Sequence, residues 1–273
     1  MIKIIKKYLR NSPFLWSLSR TVYRWVEPIF THPITCWPRY IGFFIDWYKY
    51  QAVGGKARIG DLYPCLHDKT AQTQFDPQYF YQAAWATSGI FEQLPETHVD
   101  VASDVKFVGM LSAITKVKFV DIRPLIVQLS NLECLNGSIL KLPFEDESVE
   151  SLSTLHVIEH IGLGRYGDTI DPMGAEKASK ELIRVLSVGG HLYISIPVGT
   201  PRVQFNGLRT FSPREVTDLF LDLELIKTAY VDNHGKFYES IDLNLVTFDE
   251  KSGSDFALGC FMFQKKKSSK LSK

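Results

Sequence analysis

From residue 97 onward the chain alternates between two hydrophobic rhythms. THVDVAS (97–103), KVKFVDIRP (116–124), NLECLNGS (131–138), SVESLSTLHV (148–157), HLYISIPVG (191–199), LELIKTAYVD (223–232) and ALGCFMFQKK (257–266) are short, rich in β-forming residues and bounded by turn-formers. They read as seven strands. Helical spacing appears between them in DVKFVGMLSAI (104–114), MGAEKASKELIRVLSVGG (173–190) and SPREVTDLF (212–220). In the second of these, Ala175, Ala178, Leu182 and Leu186 share a face, and Gly189 and Gly190 are expected to supply a left-handed stop. Ser212 caps the third, with Pro213 at its first position. Strands alternating with helices predict an α/β fold, a Rossmann-like seven-stranded, mostly parallel sheet with helices on both faces.

Upstream, DPQYFYQAAWATSGIFEQL (76–94) has helical periodicity, with Phe80, Ala84 and Phe91 on a face expected to be core, flanked by Tyr81 and Trp85. Residues 51–68 read as a connection, marked by Gly54, Gly55 and Gly60. Before it, Trp16, Trp25, Trp37, Trp47 and several phenylalanines are punctuated by Pro13, Pro28, Pro33 and Pro38, which predicts short helices with prolines at their ends. The expected organisation is an aromatic-rich helical extension (1–55), the Rossmann-like domain (56–267) and a basic tail (268–273).

Composition leaves this picture intact. With 273 residues, 45% hydrophobic and 22% charged, the chain is long enough for one large domain plus an extension, and collagen-like, disordered and coiled-coil classes are excluded. Charge adds something. Lys3, Lys6, Lys7, Arg10, Arg20 and Arg24 precede the first acid, Glu27, and residues 265–273 hold five more lysines, so the net +1 hides a middle of about −10. A basic, aromatic start fits either an interfacial anchor on an anionic membrane surface through residues 1–50 or a helical cap packed on the main domain; nucleic acid is not an expected partner. Four scattered cysteines without a C-x-x-C read as reduced thiols of a cytoplasmic protein. No apolar run reaches the ~18 residues of a spanning helix, and no signal peptide is evident, so the expected location is cytoplasmic, peripheral to the membrane if the anchor reading holds.

In a doubly wound sheet, ligands sit beyond the carboxyl ends of the strands. Those ends here are Asp100-Val101-Ala102-Ser103, Asp121, Gly137-Ser138, His156 and Pro197-Val198-Gly199. His156, Glu159 and His160 spell H-x-x-E-H, a zinc-ligand pattern when borne on a helix. The breakers in EHIGLGRYGDTIDPMG argue against such a helix, so no metal is expected.

SVESLSTLHVIEHIGL (148–163) followed by KELIRVLSVGGHLYISIPV (180–198) is similar to the fourth- and fifth-strand region of class I S-adenosylmethionine-dependent methyltransferases. More narrowly, HVDVAS, FVDIRPL, SLSTLHVIEHIGLGRYGDTIDPMG, VQFNGLRTFSP and GCFMFQKK together resemble a methyltransferase-like family, domain of unknown function 268, over residues of about 75 to 267. The resemblance implies S-adenosylmethionine as cofactor, held by Asp100, Ala102, Ser103, Asp121, Ile122, Ser138 and Leu155. Asp121 would accept from the ribose hydroxyls, or else pair with Arg123. Class I enzymes carry D-x-G-x-G-x-G after the first strand, whereas this chain has Asp100-Val101-Ala102-Ser103-Asp104-Val105-Lys106, without any of the three glycines.

Methyl transfer to a hydroxyl benefits from a base, and His156 or His160, with ordinary pKa values near ~6.5, would serve, oriented by Glu159. Arg165, Tyr166, Asp168 and Asp171 on the glycine-rich loop, with Asn206 and Arg209 on the next, suit a small polar or glycan-type acceptor. The expected function is therefore a methyltransferase, the alternative being a catalytically silent binding or assembly module.

Overall fold

A computed structural model describes residues 13–123, 125–240, 242 and 256–266. Packing divides the chain into two units, Met1–Gln74 and Phe75–Lys273. Lys3, Lys6, Lys7, Arg10, Pro124 and the tail from 268 lie outside the described residues, as do the side chains of Trp16, Arg20 and Arg24.

In the first unit, α1 (Pro13–Thr31) and α2 (Cys36–Ala52) contribute to a small core of Cys36, Tyr40 and Leu66. Trp25 stacks on Tyr40, with ring centroids 5.8 Å apart. Pro28 lies inside α1 rather than at its end.

The second unit opens with α3 (Pro77–Gln93), capped by the Asp76 carboxylate, which accepts from the backbone N–H groups of Gln78 and Tyr79 at 3.0 and 3.3 Å. Its buried face is Gln82, Trp85, Ala86 and Ile90, whereas Phe80 and Phe91, the expected core face, are each 56% exposed. Small residues decide this: Ala86 and Gly89 let the helix approach the sheet so closely that a Cβ on Gly89 would stand 2.6 Å from the Tyr193 ring.

Strands β1 (Thr97–Val101), β2 (Lys116–Asp121), β3 (Leu132–Asn136), β4 (Val149–Leu155) and β5 (Leu186–Val198) pair in parallel. β6 (Arg202–Gln204) and β7 (Leu208–Thr210) form a separate ribbon. β8 (Leu223–Val231), β9 (Phe237–Glu239) and β10 (Ala257–Lys265) complete the main sheet, whose order is β3-β2-β1-β4-β5-β10-β8-β9. Eight strands thus stand where seven were expected. The addition, β9, is a three-residue edge strand formed as the chain folds back through Gly235, at φ +79°, and is too short to show a period.

Three helices cover this sheet with α3: α4 (Val105–Leu111), α5 (Gly174–Val185) and α6 (Pro213–Leu219). α6 begins with a reciprocal Ser212–Glu215 capping box. α5 ends earlier than its glycines suggest, because Leu186 is already extended (φ −67°, ψ 127°). Gly189, at φ +85°, instead lies in β5, opposite the register shift between Val149 and Ser151. One apolar cluster joins the sheet to α5 and α6 through Ala178, Leu182 and Val216; another joins it to α3 and α4 through Trp85, Ile90, Phe107 and Leu111.

Candidate active site

Strand order reverses at β1, which has β2 and then β3 on one side and β4 and then β5 on the other. Beyond these carboxyl ends lies a cavity of about 90 Å³ lined by Ala102, Asp121, Ile122, Ser138, His156, His160, Tyr166 and Asp168. Eight predicted site residues from four strand ends and one loop therefore converge.

His156 follows β4 with φ +58°, and residues Ile158–His160 form a single 3-10 turn. The left-handed residue breaks the strand and folds Glu159 back beneath the imidazole. Glu159 is fully buried, and its Oε1 lies 2.7 Å from His156 Nδ1. A carboxylate only accepts, so Nδ1 carries the proton and Nε2 keeps its lone pair. That Nε2 is buried and has no protein partner, and His156 is among the residues that line the cavity. Tyr79 of α3 stacks on the same imidazole, centroids 5.3 Å apart.

His160 is engaged differently. Its Nδ1 donates to the Gly207 carbonyl at 2.7 Å, and Arg165 Nη1 lies against the ring, 3.2 Å from Nδ1 and 3.4 Å from Nε2. Burial, the largest influence, holds its pKa below the ordinary histidine value despite the neighbouring Glu159. A neutral ring so tied secures the loop. Among the described residues no group of three or more His, Cys, Asp or Glu side chains is arranged to hold a metal ion.

Asp121, at the end of β2, accepts from the Arg123 backbone N–H at 2.7 Å and meets the Arg123 guanidinium at 3.5 Å. Arg123 also covers the Tyr166 ring, 4.4 Å from its centroid. Asp100 and Ser103 do not line the cavity; they hold its floor. The fully buried Asp100 carboxylate accepts from Ser103 N (3.0 Å), Ser103 Oγ (2.7 Å) and Ser153 Oγ, while Ser103 Oγ accepts from Leu155 N at 2.9 Å. Burial raises Asp100 to about 6 against these bonds. The network fixes the turn at Ala102, φ +59°, where a glycine would be the easier residue. Leu155 faces a second chamber beside α3 and α4.

The remaining predicted acceptor residues mostly build the loop. Asp168 accepts from the backbone of Gly162 (2.7 Å), Tyr166 (3.2 Å) and Gly164 (3.3 Å); burial works to raise its pKa, but these donors outweigh it and hold it low. Asp171 bonds Lys177 at 2.6 Å, which lowers its pKa. Buried Arg209 donates to the carbonyls of Ile161 (2.6 Å) and Pro172 (3.3 Å), and Asn206 reaches the Leu163 carbonyl at 3.5 Å. Sequence reasoning missed Tyr79, hidden in a helix whose aromatic stripe pointed to core, and took Arg123 only as a partner for Asp121.

The architecture is that of class I methyltransferase-like proteins. Among solved structures, the chain is similar to the cyclase SpnF, with 10% identity over 90% of this chain and 94% of the other and a TM-score of 0.52. It is also similar to the N-methyltransferase NodS from Bradyrhizobium japonicum WM9, at 12% identity over 70% and 98%, TM-score 0.50. A SAM-dependent methyltransferase from Thermotoga maritima aligns at 18% identity over 84% and 100%, TM-score 0.48. Residues 143–265, the segment that carries EHIGLGRYGD, match the family described as "Caenorhabditis protein of unknown function, DUF268". No curated protein matches the chain.

Proposed function

We propose that the protein is an S-adenosylmethionine-dependent methyltransferase acting on a hydroxyl of a small polar or glycan-type acceptor. The observation that carries the reading is His156, a cavity-lining residue whose Nδ1 is held by Glu159 and whose Nε2 has no protein partner. The residues present suit the cofactor: Asp121 as acceptor for ribose hydroxyls, Ile122, Ile139 and Leu140 as apolar lining for a base, and Ala102 on the turn nearest β4. The free volume is below the ~300 Å³ at the lower end of small-molecule sites, and Arg123, more than half exposed, is the side chain that must swing from Asp121 to enlarge it. S-adenosylmethionine supplies an electrophilic methyl group. The chain's part is to take the acceptor's proton on His156 Nε2, to balance the resulting imidazolium with the buried Glu159 carboxylate, and to present Arg165 and Tyr166 to the acceptor's polar groups.

The test is formation of S-adenosylhomocysteine from S-adenosylmethionine over a panel of hydroxylated acceptors. His156→Ala should lose about 10²–10⁴-fold in rate with S-adenosylhomocysteine affinity kept within a few-fold; an unchanged rate refutes the assignment. The Asp121–Arg123 pair and the missing glycines favour a second reading, a binding module without catalysis, for which no acceptor supports turnover by wild type.

We further propose a peripheral association of the first unit with anionic membrane. Trp37, Ile41, Phe44, Ile45 and Tyr48 share one face of α2 and are all exposed, the arrangement of an interfacial helix. No described helix is long and apolar enough to cross a membrane. Wild type should sediment with vesicles containing phosphatidylserine and release with salt, and the full chain bearing Trp37→Glu and Ile41→Glu should remain in solution. Equal sedimentation of both would refute the contact.

A further inference from the structure

The second unit holds a cavity larger than the one at the strand ends. A chamber of about 780 Å³ lies between α3 and α4, lined by Tyr79, Phe80, Ala83, Phe107, Met110 and Leu155 among others. Nothing in the proposed reaction, as derived above, uses it. Its walls are mostly aromatic and aliphatic; at its margin the Asp76 and Asp104 carboxylates cap their helices and Gln82 Oε1 accepts from Ser195 Oγ at 2.6 Å, while Thr87 and Lys106 add a hydroxyl and an ammonium.

Two observations connect this chamber to the chemistry. Leu155, which lines it, directly precedes His156. Tyr79, which also lines it, is the ring stacked on the His156 imidazole, so one aromatic side chain touches both the chamber and the candidate base. That side chain is 46% exposed.

A third observation concerns what the walls leave in solvent. Phe80 is 56% and Met110 68% exposed, on opposing helices, although the helical pattern of α3 places Phe80 on a core face. Large apolar residues so placed lose free energy unless a ligand covers them, at about 25 cal/mol per Å² of apolar surface buried. The volume falls within the ~300–1,000 Å³ range of small-molecule sites.

We infer that the chamber seats the apolar body of the acceptor, and that the acceptor is an amphiphile whose hydroxyl-bearing end reaches His156 past Tyr79. The inference rests on the methyltransferase reading for its chemistry, and it narrows the substrate class from a polar molecule to a polar head joined to a hydrocarbon or prenyl-like tail. An alkyl body would contact Phe80, Phe107 and Met110; the strand-end cavity, with Tyr166 in its lining, is left to the head.

The experiment uses the full chain and two probes, 1-decanol for the chamber and S-adenosylhomocysteine for the cavity at the strand ends, each titrated calorimetrically. Two variants fill the chamber from opposite walls, Ala83→Trp on α3 and Met110→Trp on α4. The exposed Met110 site keeps the test intact if the helix-face change at Ala83 disturbs folding. Wild type should bind decanol saturably at about one per chain, and Met110→Trp should weaken it at least tenfold with S-adenosylhomocysteine affinity unchanged within twofold. Decanol binding that is absent, unsaturable or indifferent to both variants overturns the inference. So does a parallel loss of S-adenosylhomocysteine in Met110→Trp, which would assign the chamber to the cofactor. If S-adenosylhomocysteine fails to bind wild type, the methyl-transfer reading falls and the decanol comparison alone decides whether the chamber is an apolar site.

Discussion

A histidine with one nitrogen fixed and the other free is the most informative group in this molecule, and its condition follows from its neighbours. Glu159 sets the His156 tautomer, Tyr79 covers its face, and the left-handed backbone turns it toward the cavity. The sequence showed that His156 stands at a strand end, but the difference between it and His160 was not legible, because it depends on the Gly207 carbonyl 47 residues away. Arg209 was read as a substrate contact and lies buried against backbone carbonyls, a role that only the closure of the loop over it reveals. A second buried histidine makes a pH prediction. His98 in β1 is wedged between Ser151 Oγ (2.7 Å) and Ser153 Oγ (2.8 Å) of β4, and burial depresses its pKa to about 3. The fold keeps it neutral, so as pH falls through the unfolded value near ~6.5 the unfolded chain takes up a proton that the fold refuses, and stability is lost. Asp100, raised to about 6, works the other way, its fold gaining stability as pH falls through that value. His98→Gln removes only the first contribution. Its stability deficit relative to wild type should therefore shrink by about 2 kcal/mol between pH 7 and 5, read from urea melts; a constant deficit would show that His98 is not held neutral.

Secondary structure was legible wherever the period was long enough, and obscured where packing choices or short elements intervened. The seven expected strands and the α5 face of Ala175, Ala178 and Leu182 appear as read. β9 is too brief to show a pattern, and α3 turns its small residues inward against Tyr193, against the aromatic stripe. The loop from 161 to 172 has the composition of a flexible lid yet is strongly built. Gly162 sits at φ +82°, and a Cβ there would stand 2.0 Å from the Asp171 carbonyl oxygen, the partner strand of a turn that Asp168 and Arg209 also close. Gly162→Ala should accordingly cost about 1–3 kcal/mol of local stability, seen as faster hydrogen exchange at the Asp171 and Gly174 amides, with β1 and β5 protected as before. Unaltered exchange in the loop would mean that the turn tolerates a side chain and does not set the site.

For the chain as a whole, the fold was legible and the chemistry only in part. Hydrophobic alternation specifies the doubly wound sheet, and the sheet places a cavity at the reversal beside β1, the position at which ligands bind in open α/β sheets. Fold alone does not choose the reaction: the solved structures similar to this chain at TM-scores of 0.52 and 0.50 are a cyclase and an N-methyltransferase. Charge segregation, with a basic start and a middle of about −10, bears on where the protein works rather than on what it does. What the methyltransferase reading requires first is that the strand-end cavity take a nucleoside cofactor. The direct measurement is a calorimetric titration of the nucleotide-free full chain with S-adenosylhomocysteine, repeated on Asp121→Ala. One-to-one binding in the micromolar range, about −8 kcal/mol, weakened at least tenfold in the variant, is the predicted result; no heat from wild type, or equal binding by both proteins, would contradict the account.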